Sequence, residues 1–281
     1  MFEPASDPSI DEKIRELQSF ETCSAFSKAF YPYVAGMLDT GSSDGVLRAL
    51  LGDLLDATVR YHRRMGSLHA RDEVSLADMQ SVTDKRRIAL ESILEQAGRV
   101  KPETDGQRAA LNLIQAECAF HMRGIDRVVA HLGRAISAGA TDPLVYFALG
   151  YNRYALAVEA FLEPGETPGE WTTSNVDAFR AACLDAVSAF EQGITGGDMD
   201  RQLFWWIAHV LDSAGLEEAA EHTRAQAVQM AGDSRRTGNP GLDEAEEERD
   251  HLLPPITEEE VRAVADLLKG TFTAEDIMGG R

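Results

Sequence analysis

The residues of this chain best suited to metal or nucleophilic chemistry are three cysteines and seven histidines. Cys23, Cys118 and Cys183 lie far apart in apolar, helix-like stretches. They offer neither metal-ligand spacing nor a disulfide framework. They read as buried, reduced thiols, which fits a cytosolic compartment. His121, His131, His209, His222 and His251 share no ligand spacing and read as surface or partly packed side chains. No Gly-rich phosphate loop, zinc motif or nucleophile elbow is present. The acidic pair Glu217-Glu218 suits a helix N-terminus, and the acidic run 244–248 suits a solvated linker. The residues therefore predict no catalytic group, no metal and no cofactor. Trp205-Trp206 is the most unusual pair. Adjacent helical positions point about 100° apart, so one ring should face a groove and the other the core. Trp171 reads as a loop residue that tucks back or marks a contact.

The chain has 281 residues and a formal net charge of −20. Apolar content of 44% and charged content of 26% are globular values. So acidic a surface repels nucleic-acid phosphates and anionic lipid, and neither is expected as a partner. It favours solubility, or a basic partner. The start, Met1-Phe2-Glu3-Pro4, lacks the basic and apolar regions of a signal peptide. The strongest apolar run, 203–211, contains His209 and is too short to cross a bilayer. A cytoplasmic protein is expected.

Ala, Leu, Glu and Arg dominate, and β-branched alternation is nearly absent, so the elements that position these side chains should be helices. Residues 11–38 read as one or two helices and 41–44 as a loop with a cap. Residues 46–65 and 72–98 read as a long antiparallel hairpin. Thr104 or Asp105 should cap a helix running to about 123, Gly124 should make the turn, and 125–137 should be its partner. Asp142-Pro143 should open a helix to about 161. A loop over 162–173 follows, then a helix from the Ser174 and Asp177 pair to about 194. Residues 198–214 and 216–231 form a last pair around Gly215. Beyond Gly232 an acidic, proline-bearing stretch reads as a linker, and the capping box at Thr257 opens a short helix.

Small residues recur at a fixed interval. Ala186 to Ala220, Gly193 to Ala227 and Ala116 to Gly150 are each 34 residues apart. Gly150 to Ala208 is 58, one such interval with 24 further residues between Gly150 and Ala186. In the last pair, Phe204, Ile207, Ala208 and Leu211 fill the first helix, Gly215 the turn, and Ala220 and Ala227 the second helix. Over about 109–234 this pattern resembles the tetratricopeptide repeat, a 34-residue helix hairpin. Arg153 and Arg224 depart from the pattern, and Asn112 and Ala119 stand where aromatics are usual. The resemblance implies an all-α fold of antiparallel hairpins stacked as a right-handed solenoid, with N-terminal helices and a C-terminal tail. The expected divisions are a helical region over 1–100, repeats over 101–234 with an insertion near 158–176, a linker over 235–256, and a helix and tail over 257–281.

In that family the first helix of each pair lines the concave face. The resemblance therefore implies a groove of Leu113, Glu117 and Phe120, then Phe147, Tyr151 and Tyr154, then Trp205, His209 and Asp212. These positions lack the basic set with which some members clamp acidic C-terminal peptides. A protein or peptide partner that is apolar, or basic and apolar, fits better. The function expected is a noncatalytic interaction scaffold. Two alternatives stand beside it. Arg64 and His69 share the R-x4-H spacing of the HEPN ribonucleases, although Gly66 interrupts it and Met65 replaces the usual polar residue. The other is a structural or regulatory subunit whose groove is filled by the insertion, the N-terminal helices or the C-terminal helix.

Overall fold

A computed structural model describes residues 8–20, 23–38, 44–69, 75–164 and 171–234. The loop at 41–43, the linker and the C-terminal helix expected from the sequence lie outside the described residues. Within them the chain is helical apart from one two-residue ladder, and it divides into two compact units between Ala140 and Thr141.

The first unit contains α1 (Pro8–Ser19), α2 (Ala25–Met37), α3 (Gly45–His69), α4 (Leu76–Ala97), α5 (Asp105–His121) and α6 (Ile125–Ser137). The second contains α7 (Pro143–Phe161), α8 (Val176–Gln192), α9 (Asp200–Ser213) and α10 (Glu217–Ser234). Between α7 and α8, Glu163–Pro164 and Trp171–Thr172 pair as a minimal antiparallel ladder where the sequence suggests only a loop. The boundary expected at residue 100 is displaced because α5 packs against α2, α3 and α4 as well as α6. The first repeat-like hairpin is thereby part of the N-terminal unit.

Local chemistry explains most of the helix limits. Thr104 Oγ1 accepts from Gln107 N at 3.1 Å, and Gln107 Oε1 accepts back from Thr104 N at 3.3 Å. This reciprocal box satisfies donors that a helix start leaves open. Gln107 Nε2 also donates to Asp44 Oδ1 at 2.7 Å, tying the start of α5 to that of α3. Asp142 caps α7 with Pro143 in the first turn. Ser75 caps α4, so that helix begins later than residue 72. Asn175, rather than Ser174, caps α8, its Oδ1 accepting from Ala178 N at 3.1 Å.

The hairpin turns differ from each other. Gly215, between α9 and α10, takes a φ of +70°. Between α5 and α6 it is Arg123 that takes a left-handed φ of +60°, and Gly124 is the N-cap of α6 with φ −94°.

The small residues of the 34-residue register are all buried: Ala116, Ala135, Gly150, Ala186, Gly193, Ala208, Ala220 and Ala227. Gly150 shows why size matters. A Cβ placed there would stand 2.7 Å from ring carbons of Phe190, so the ring of α8 lies directly on the backbone of α7. At Gly193 a Cβ would meet Tyr146 Cβ at 3.0 Å and Leu203 Cδ1 at 3.2 Å.

Candidate functional site

The most distinctive chemistry lies inside the first unit, where four helices converge on a buried carboxylate. α5 supplies Glu117 and His121, one turn apart on one face. α2 supplies Lys28 and Tyr31, α3 supplies Thr58, Tyr61 and His62, and α4 supplies Arg86. Glu117 is 3% exposed, and Tyr31 and Thr58 are fully buried.

Hydrogen bonding within this centre can be followed proton by proton. Tyr31 Oη donates to Glu117 Oε1 at 3.2 Å. With that proton committed, Thr58 Oγ1 is the donor in its 2.9 Å contact with Tyr31 Oη. His121 Nε2 lies 2.8 Å from the same Glu117 oxygen. Burial pushes the Glu117 carboxyl up, but His121, Arg86 and the Tyr31 hydrogen bond outweigh it and hold the group below its ordinary value. His121 is lowered by burial, with Arg86 adding to the effect and Glu117 offsetting only part of it. At neutral pH the stable arrangement is an ionised Glu117 accepting from a neutral His121 whose Nε2 carries the proton. Burial and then Glu117 push the Tyr31 hydroxyl well up, so it stays a donor.

Arg86 supplies the nearby positive charge. Its Cζ sits 4.3 Å from the centroid of the Tyr61 ring, a cation–π arrangement. Its Nε and Nη2 are both buried and meet no hydrogen-bond acceptor among the described residues. His62, stacked on Phe20 at 5.8 Å between ring centroids, is lowered to about 4, first by burial and then by Arg86. Burial likewise raises the thiols of Cys23 and Cys118, and takes that of Cys183 in the second unit to about 12. These cysteines are inert thiols rather than nucleophiles.

The nine groove positions inferred from the repeat resemblance fall in both units. In the first, Leu113 is 0% and Glu117 3% exposed, while Phe120 is 45% exposed. α5 is enclosed by its neighbours, so Leu113 and Glu117 line no open face; this corrects their expected placement. In the second unit Phe147, Tyr151, Tyr154 and His209 join a ring cluster centred on Trp206. Tyr151 and Trp206 lie 5.3 Å apart, Phe147 and Trp206 5.9 Å, and Tyr154 and His209 5.6 Å. Tyr154 is buried, and its Oη is 2.8 Å from Ser213 Oγ. Trp206 is the core ring of the tryptophan pair. Trp205 is half-buried and takes part in none of these ring contacts among the described residues. Asp212 is exposed and pairs with Arg224 at 2.8 Å.

Arg64 is exposed on α3, and His69 closes that helix, its side chain outside the described residues. Among the described residues no group of three His, Cys, Asp or Glu is placed to hold a metal ion. No helix there is long and apolar enough to cross a membrane. Sequence reasoning missed Tyr31, Thr58, His62, Arg86 and His121 as a set. One signal was available: Glu117 and His121 stand four residues apart on the face that also carries Leu113 and Ile114. Compared with family models, curated proteins and solved structures, the chain matches none.

Proposed function

We propose that the chain is a noncatalytic binding protein whose tetratricopeptide-like hairpins present the rings of α7 and α9 to a peptide or protein partner. The observation that carries this reading is the way α7 and α9 meet. They are the first helices of successive hairpins, and they touch through Tyr151–Trp206 and Tyr154–His209 while α8 packs against both. Small residues one repeat length apart let the helices approach this closely. A right-handed solenoid is the arrangement such contacts favour when repeated along the chain.

Phe147, Tyr151 and Trp205 keep half-buried rings, and aromatic anchors of this kind dominate peptide binding. The net charge of −20 favours a partner with basic as well as apolar side chains. Buried, unactivated thiols accord with a cytoplasmic setting.

A selection of displayed random peptides on the immobilised full chain tests the proposal. Enriched peptides should combine apolar and basic residues and should lose binding to Trp205→Ala. That ring lies outside the core cluster, so the variant should retain native circular dichroism. Selection without enrichment, or equal binding by the variant, would overturn the reading.

A further inference from the structure

The chain carries an apolar stripe that the peptide-binding reading leaves without a role. It lies in residues 257–269, outside the described ones. Its sequence specifies a helix start twice over. Thr257 and Glu260 make a capping box, and Ile256 with Val261 stand at the positions of a hydrophobic staple. Gly270 stands where a helix ends. Val261, Val264, Leu267 and Leu268 fall on one face of that helix. A helix of about twelve residues is marginal by itself in water, so the stripe needs a surface to cover it.

The second unit supplies one nearby. That unit runs from Thr141 to the end of the chain, so the stripe and the rings belong to it together. Phe147 and Tyr151 of α7 are half-buried and stack at 6.4 Å between centroids, and Trp205 of α9 is half-buried as well. The exposed side of α10 carries Glu218, Glu221, His222, Gln226 and Gln229 and is too polar to serve. Reach fits too. α10 folds back on α9 at Gly215, so its last turn lies near the start of α9. From there Trp205 is about 20 Å away. Residues 235–256 are the tether, and a linker of that length spans about 25 Å on average. A tether matched to its span gives a local concentration on the order of millimolar. The chemistry also agrees. Arg262 and Lys269 stand against Asp266 within the stripe, the basic and apolar character that a chain of net charge −20 favours. Glu258, Glu259 and Glu260 sit in the first turn, where they suit the helix N-terminus.

We propose that residues 257–269 dock as a helix on the Phe147, Tyr151 and Trp205 face of their own chain and so occupy the site ahead of any partner. The proposal rests on the peptide-binding reading of the same face. The docked tail is a built-in competitor, and a partner holds the site only by displacing it.

Full-length chains test this by hydrogen exchange at residues 261–268 and by titration with a labelled synthetic peptide of residues 256–270. In the wild type these amides should be protected, and equally so across an about hundredfold dilution. Trp205→Ala should remove the protection. Val264→Asp with Leu268→Asp should free the face, so the labelled peptide should bind that variant about tenfold more tightly than wild type, or better. Unprotected amides, or protection that survives Trp205→Ala, would overturn the proposal. So would protection that fades on dilution, which makes a second copy the occupant, or equal peptide binding by wild type and the tail variant. The two readings fail separately. If selected external peptides bind through Trp205 while residues 261–268 are unprotected, only the tail docking falls. If the tail meets every expectation and no external peptide is enriched even on the tail variant, the docking stands and the partner reading falls.

Discussion

The two units bury very different things. The first encloses an ionised carboxylate, two hydroxyls and an imidazole, with a guanidinium beside them. The second fills its interior with rings, Phe190 and Trp206 stacking at 6.1 Å between centroids, and it lets Phe190 rest on bare backbone at Gly150. A buried charge is tolerated only while every partner is in place, so the first unit should fail sharply when one is removed. A ring-filled core answers to volume and shape, so the second should be most sensitive to added atoms.

The largest effect expected is from Glu117→Ala. It strands the Tyr31 hydroxyl and the His121 ring, and should destabilise the first unit by about 3–5 kcal/mol. Hydrogen exchange should locate the loss in α2, α3 and α5. Combining it with Tyr31→Phe should cost clearly less than the two changes summed, because the pair is coupled. Strict additivity would sink the idea of a network.

Next is Gly150→Ala. The new methyl carbon would lie 2.7 Å from the Phe190 ring. Overpacking should cost about 1–3 kcal/mol, beyond the roughly 1 kcal/mol that alanine gains in helix propensity. Phe190→Leu in the same chain should recover part of the loss, read from urea unfolding followed in the second unit.

The units should also part company in acid. His62 falls from 6.5 to about 4 on folding, so between these values only the unfolded chain takes up its proton. Stability is therefore lost as the pH drops through that window. His121 and His131, both lowered first by burial, act with the same sign. Glu117, held below its ordinary value, adds a further loss as the pH falls below its free-chain value of 4.5. Exchange protection in the first unit should decline from about pH 6.5 downward, and His62→Asn should flatten the decline. An unchanged slope in that variant would exclude His62 as a source.

The smallest contrast sits in the turns. Arg123 and Gly215 hold equivalent left-handed positions. A side chain costs about 1 kcal/mol in that conformation, so Arg123→Gly should stabilise slightly and Gly215→Ala should destabilise by about the same amount. Thermal unfolding of the two variants checks the sign of each.

Much of this architecture is legible along the chain. Residues 125–137 and 143–161 form helices over the spans their patterns predict, because Asp142, Pro143 and the apolar periodicity act within a turn or two. The 34-residue recurrence of small residues marks positions that are in fact buried. Less was legible where neighbours compete. Asn175 takes the cap from Ser174, and Arg123 rather than Gly124 bends back, although either residue of each pair has suitable chemistry. The expected groove fared unevenly for a physical reason: a helix pattern says which residues share a face, but not how many other helices cover it.

By itself, then, the amino-acid order determined the helices, which depend on residues a few positions apart, and the 34-residue recurrence of the small residues. Only the tertiary structure decided that Glu117 is a buried ion rather than a groove residue, since its partner Tyr31 stands 86 positions away. It alone decided that Trp206 holds the second core while Trp205 stays half-buried, and that one edge of Arg86 meets no acceptor among the described residues. Such outcomes turn on which side chains from distant segments arrive at the same place, and no local preference carries that information.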